Sequence, residues 1–251
     1  MVHFTINGVE VEASREENVL QVARRYGIYI PALCYHEAVT PYASCRLCIV
    51  EAKQGGRTRV VTACTYPARD GLEVQTDTER IKARRRVVME LLLAQAPASE
   101  KLWEFAATLG VTSTRFPSED PDNKCILCGL CERVCREQAG VASISFAYRG
   151  RHRKLTTPFE EPPDFCKGCT ACAYVCPTGA VEVRLARNLL ELQPWKAKVE
   201  MAVCTECGTP YAPTAELKEV AEKVKLELPA LNLCPACRRK IHAKTVVMGK
   251  S

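Results

Sequence analysis

The chain has 251 residues, sixteen of them cysteine, and a formal net charge of +6. That length suits two or three small domains better than one large core. The opening MVHFTINGVEVEA lacks the charged and apolar regions of a secretory signal, and the longest apolar stretch, residues 87–96, is too short to span a bilayer. A cytoplasmic chain without direct membrane insertion is therefore expected, its CxxC pairs binding metal instead of forming disulfides.

All sixteen cysteines sort into four groups with none left over: Cys34/Cys45/Cys48/Cys64, Cys125/Cys128/Cys131/Cys135, Cys166/Cys169/Cys172/Cys176 and Cys204/Cys207/Cys234/Cys237. Four thiolates satisfy one iron-sulfur cluster or one structural zinc, so the count reads as four soft-metal sites in series. Two basic runs, Arg80–Arg86 and Arg149–Lys154, are not interleaved with the aromatics of a single-strand-binding groove, and nucleic acid is not expected as a partner.

In chain order, Val2, Phe4 and Ile6 alternate with polar residues, Asn7-Gly8 supplies a turn, and Val9 and Val11 resume the alternation, which predicts a β-hairpin. Val19, Leu20, Val22, Ala23 and Tyr26 recur at helical spacing before Gly27. Cys34, Cys45 and Cys48 follow in a loop, then strands at residues 47–53 and 58–62 about a Gly55-Gly56 turn, and then Cys64. This order, with PALCYH, SCRLCIVE and TACTYP, resembles the β-grasp 2Fe-2S ferredoxin domain. Plant-type ferredoxins place four residues between their first two ligands, whereas ten separate Cys34 from Cys45. The longer loop is similar to that of the large iron-sulfur subunit of respiratory complex I and of related NAD-linked hydrogenase and formate dehydrogenase subunits. The resemblance implies that Cys34, Cys45, Cys48 and Cys64 hold a 2Fe-2S cluster; with four thiols present, nearby His36 is not needed.

RIKARRRVVMELLLAQA, with Ile81, Arg85, Val88, Leu92 and Gln95 at three- and four-residue steps, predicts an amphipathic helix whose basic face meets solvent or an interface. Leu102, Phe105, Ala106 and Leu109 predict a second, between Ser99 and Gly110. In the complex I subunit this place resembles a segment with one histidine and three cysteines for an extra 4Fe-4S cluster. AQAPASEKLWEFAATLGV has neither residue type, so that cluster is not carried over and a smaller subunit is favoured.

CILCGLCERVC and CKGCTACAYVCP both fit the CxxCxxCxxxC run of bacterial ferredoxins, the second with its following proline, Pro177. In that family the fourth cysteine of each run serves the other cluster. By resemblance, Cys125, Cys128, Cys131 and Cys176 bind one 4Fe-4S cluster, and Cys166, Cys169, Cys172 and Cys135 the other. Between the runs, residues 144–148 predict a strand and EEPPDF an extended lead.

CTECGTPY and CPACRRK form two CxxC knuckles separated by twenty-six residues. The intervening helix would be capped by Thr214 and present Leu217, Val220, Ala221 and Val224 on one face. A structural zinc at Cys204, Cys207, Cys234 and Cys237 is the leading reading, a further 4Fe-4S cluster the alternative. His242, near Cys237, is read as a solvated tail residue.

The expected architecture is α+β: a β-grasp 2Fe-2S domain over residues 1–78, a helical linker over 79–117, a two-cluster 4Fe-4S ferredoxin domain over 118–195, and a zinc-ribbon-like module over 196–251. The expected function is non-catalytic electron transfer between a flavin- and NAD-binding subunit and a hydrogenase or formate dehydrogenase subunit, in a complex open to electron bifurcation. No GxGxxG fingerprint or phosphate loop is present, so flavin and nicotinamide would belong to other chains. A redox-sensing zinc-ribbon regulatory or nucleic-acid-binding protein and a free polyferredoxin are the alternatives.

Overall fold

The computed structural model describes residues 1–225 and 231–248, and the chain divides into two units, residues 1–134 with 175–180 and residues 135–174 with 181–251. In the first, β1 (Val2–Ile6) and β2 (Val9–Ala13) pair antiparallel around Asn7-Gly8, both at positive φ as a tight hairpin turn requires. Asn18 caps α1 (Val19–Arg25) through a reciprocal pair: Gln21 N–H donates to Asn18 Oδ1 at 3.0 Å and Asn18 N–H to Gln21 Oε1 at 2.9 Å. β3 (Ile49–Gln54) and β4 (Arg57–Thr62) form the second hairpin, and the three-residue β5 (Glu73–Gln75) completes a sheet of order β2-β1-β5-β3-β4. β5 runs parallel to β1 and antiparallel to β3. Val19, Leu20, Val22 and Ala23 of α1 join Phe4, Ile6, Val11, Val50 and Val74 in one core. Each of the larger of these side chains, Val, Leu, Ile and Phe, stabilises by roughly 1.5–3 kcal/mol on burial.

α2 (Glu79–Gln95) is capped by Thr78, whose Oγ1 accepts from Ile81 N–H at 3.3 Å, and α3 (Glu100–Thr108) by Ser99, whose Oγ accepts from Leu102 N–H at 3.1 Å. The buried stripe of α2 is Ile81, Arg85, Met89, Leu92 and Leu93. Val88 is only partly covered, whereas Arg85, which belongs both to a basic run and to the three- and four-residue spacing of the expected stripe, is 5% exposed, and its guanidinium donates to the carbonyls of Leu47 at 3.0 Å and Ile49 at 2.7 Å. Those carbonyls flank Cys48, so α2 is pinned to the first cysteine loop. α4 (Leu130–Glu137) begins within the first cysteine run.

In the second unit, β6 (Ser145–Ala147) pairs with β7 (Lys154–Thr156), and α5 (Ala171–Tyr174) is a single turn inside the second cysteine run. β8 (Glu182–Ala186), β9 (Leu189–Gln193), β10 (Ala197–Val203) and β11 (Pro210–Pro213) form an antiparallel meander. β9 and β10 pair across residues 195–196, where a domain boundary was expected, so one sheet links the second cysteine run to the first knuckle. α6 (Thr214–Val224) packs on β10 and β11 through Ala221, while Val220 and Val224 are exposed. Its N-cap is Pro213 without a side-chain bond, so Thr214 is the first helical residue and not the cap. α7 (Pro235–Met248) starts at the second knuckle. Among the described residues no helix is long and apolar enough to cross a membrane.

Candidate metal centres

Cys34, Cys45, Cys48 and Cys64 are all buried and unbridged. Cys45 N–H donates to Cys34 Sγ at 3.4 Å. Side-chain hydrogen bonds link Cys34 to Cys45 and Cys64, and Cys64 to Cys48. Hydrogen bonds from Cys45 and then Cys64 hold the Cys34 thiol far below its ordinary range, and Cys64 lowers Cys48. The donors respond oppositely: bonding to Cys34, reinforced by burial, raises Cys45, and bonding to Cys34 and Cys48 raises Cys64. Such a set releases its remaining protons when a soft metal takes their place. His36 Nδ1 accepts from Ala38 N–H at 3.2 Å and is occupied by its own turn.

Left-handed residues cluster at three of these loops. Ala43 and Arg46 bracket Cys45, Leu127 and Gly129 flank Cys128, and Gly168 and Thr170 flank Cys169, with φ between 52° and 69°. In each of the two CxxCxxCxxxC runs the left-handed pair sits one residue before and one after the second cysteine, a geometry that turns successive N–H groups into an anion-binding hollow. Leu127 N–H accordingly donates to Cys125 Sγ at 3.4 Å. Burial pushes the thiols of Cys125 and Cys166 up and takes Cys128 to about 12, so none of them is a ready thiolate until a metal displaces its proton.

The fourth cysteines of the two runs part company. Cys176 lies in the segment 175–180 that belongs with the first unit, and its charge bears on Cys125 and Cys128. Ser99 Oγ anchors that segment by donating to the Thr178 carbonyl at 2.8 Å, and Asn123 Oδ1 fixes Cys125 by accepting its N–H at 2.9 Å. In the second unit, Cys135, Cys166, Cys169 and Cys172 line one concavity together with Leu192 and Trp195. Cys172 is pushed up to about 12 by burial, against the pull of the Trp195 indole N–H, which has no oxygen or nitrogen partner of its own.

At the last quartet the sulfurs of Cys204, Cys207, Cys234 and Cys237 all lie within 4.8 Å of one another. Cys207 and Cys234 are 3.8 Å apart. Cys204 N–H donates to the Thr209 carbonyl and Gly208 N–H to the Cys204 carbonyl, closing the first knuckle. Cys234 N–H donates to Cys204 Sγ at 3.3 Å and lowers that thiol to about 6, while bonding to Cys207 and Cys234 takes Cys237 to about 12. The His242 side chain lies outside the described residues.

Residues 1–79 match the family model of a 2Fe-2S iron-sulfur cluster binding domain, and residues 124–180 that of a 4Fe-4S dicluster domain. The chain carries two ferredoxin domains. It is 30% identical over 232 residues to the NADPH-Fe(3+) oxidoreductase subunit alpha of Geobacter sulfurreducens, covering 83% of this chain and 27% of that protein. To an NADH-quinone oxidoreductase subunit of Rhizobium meliloti it is 30% identical over 236 residues, again covering 83% and 27%. The chain thus spans about a quarter of the length of these relatives. A solved chain from the NAD+-reducing [NiFe]-hydrogenase in its H2-reduced state superposes with a TM-score of 0.65 at 29% identity, covering 77% of this chain and 88% of that one.

The two ferredoxin domains use residues that no motif announces. Arg85 sits in a basic run, Asn123 and Ser99 lie outside the cysteine runs, and Trp195 lies beyond the dicluster match. Ser99 carried a local signal as a helix cap, and Arg85 one through its helical spacing with Ile81 and Leu92.

Proposed function

We propose that the chain is a non-catalytic electron-transfer subunit of an NAD(P)-linked oxidoreductase or hydrogenase complex. Cys34, Cys45, Cys48 and Cys64 would hold one 2Fe-2S cluster, Cys125, Cys128, Cys131 and Cys176 one 4Fe-4S cluster, and Cys135, Cys166, Cys169 and Cys172 a second. When bound, such clusters supply one-electron storage at potentials set by burial and by hydrogen bonds to sulfur. The chain's own contribution is to bury the thiols, turn N–H groups at residues 127 and 168 toward them, and hold distant cysteines in register. The observation that carries this reading is the gathering of Cys135 with Cys166, Cys169 and Cys172 around one concavity, which supports crossed use of the two runs.

The last quartet supports a structural zinc. Four sulfurs about 2.3 Å from one tetrahedral metal lie about 3.8 Å apart, and a cube, binding each sulfur to a different iron, spreads them farther. The Cys207–Cys234 separation of 3.8 Å fits the single metal. Partner subunits would carry flavin, nicotinamide and the catalytic metal. The hydrogenase reading is preferred to formate dehydrogenase because the structural neighbour named above is a NAD+-reducing hydrogenase chain. The test is isolation of the native complex with its subunits identified and its metals counted. About ten irons and one zinc per chain are expected, whereas about fourteen irons would place a cube in the fourth site. Isolation of the chain alone, without an oxidoreductase partner, would overturn the subunit reading.

A further inference from the structure

Arg133 stands between Cys131 and Cys135 in the first run, and nothing in the function proposed above uses its guanidinium. It is 3% exposed. Its Nη2 donates to the carbonyl oxygens of both Cys34, at 3.0 Å, and Cys128, at 3.2 Å. Nη1 donates to the Thr40 carbonyl and Nε to that of Gly129 at 3.2 Å, and the Tyr42 ring lies 5.6 Å from the guanidinium carbon. One nitrogen therefore joins the backbone of the first cysteine set to that of the second, within a single unit of the chain.

The partners named are carbonyl dipoles and a ring face, not a carboxylate. An arginine cannot shed its proton, and a cation taken out of water needs compensating negative charge. Thiolate-ligated clusters supply that charge, and each gains one more negative charge on reduction. At short range in a poorly screened interior, a cation favours the added electron on whichever side it arrives.

We propose that Arg133 couples the first two centres. It is a positioning residue that offers one cation to both, makes each easier to reduce, and provides through Nη2 a hydrogen-bonded route from Cys34 to Cys128. The inference rests on the assignment of Cys34 to a 2Fe-2S and Cys128 to a 4Fe-4S cluster.

The test is an EPR-monitored redox titration of the full, cluster-loaded chain. Two neutral variants, Arg133→Gln and Arg133→Met, guard against failure of either to fold, and Arg133→Lys is the rescue. In the neutral variants both midpoint potentials should fall, each reduction becoming about tenfold less favourable, or about 59 mV for one electron. Arg133→Lys should recover part of both shifts. Unchanged potentials with only a lower melting temperature would reduce Arg133 to a scaffold residue and overturn the proposal, as would movement of one potential alone. Absence of either cluster signal from the wild-type chain would overturn the assignment itself and the proposal with it, a result distinct from a wild type that shows both signals and variants that do not move.

Discussion

Arg85 offers the sharpest test of how the helical segment supports the first centre. Replacing it with methionine keeps an apolar stem and removes the groups that donate to the Leu47 and Ile49 carbonyls. Both acceptors sit in buried residues, Leu47 at 0% and Ile49 at 9% exposure. Each buried polar group left without its partner costs about 1–3 kcal/mol. The third contact, to Asp77 at 3.3 Å, reaches a carboxylate that is 64% exposed and adds little. Taking the lower half of the range for two carbonyls gives about 3 kcal/mol, or a melting shift of about 6–12 °C if the whole first unit, residues 1–134 with 175–180, melts together. The assay is thermal loss of the visible circular dichroism of the loaded 2Fe-2S site, at one scan rate for all variants so that their midpoints compare directly. Arg84→Met, at an exposed neighbour on the same helix, is the control. If Arg85→Met melts within about 2 °C of that control, less than one kcal/mol separates them, and the anchoring argument fails.

Three further outcomes are expected. Cys176→Ser should damage the same 4Fe-4S signal as Cys125→Ser, and the double variant should lose nothing more, while Cys176→Ser with Cys166→Ser should lose both signals; damage that groups Cys176 with Cys166 would refute crossing. Gly168→Ala should destabilise the second 4Fe-4S site by about 1–3 kcal/mol, because φ is +68° and an added Cβ would lie 2.9 Å from Val199 Cγ1. Its melting shift should be partly relieved by Val199→Ala, and equal shifts with and without that change would remove the steric explanation. Chelation of the Cys204/Cys207/Cys234/Cys237 site should release one metal equivalent and expose four titratable thiols per chain without loss of iron, as read by metal analysis and a thiol reagent.

The motifs were legible because their spacing is their chemistry. The hairpin over Asn7-Gly8, the helix beginning at Val19 and the Ser99 cap all follow from local rules and are present as expected. β5 escaped notice because three residues, Glu-Val-Gln, cannot show alternation; its place is fixed by β1 and β3. The meander from Glu182 to Pro213 is likewise defined by pairing between strands. Arg85 and Arg133 were hidden for another reason. A guanidinium read from its sequence neighbours alone looks solvated, and only the carbonyls of residues 34–49, far away in sequence, reveal otherwise. Thr214 misled because a threonine before a helical pattern looks like a cap when the preceding proline holds that position.

The central strand of the first sheet is also the last of its strands in the sequence. β5 lies between β1 and β3, yet its residues follow Cys64. During synthesis, the two hairpins can form separately, but they cannot be joined through β5 until residues 73–75 have left the ribosome. By then all four cysteines of the first set have emerged. The order of the chain thus places all four cysteines of the first set ahead, in synthesis, of the strand that joins the two hairpins into one sheet.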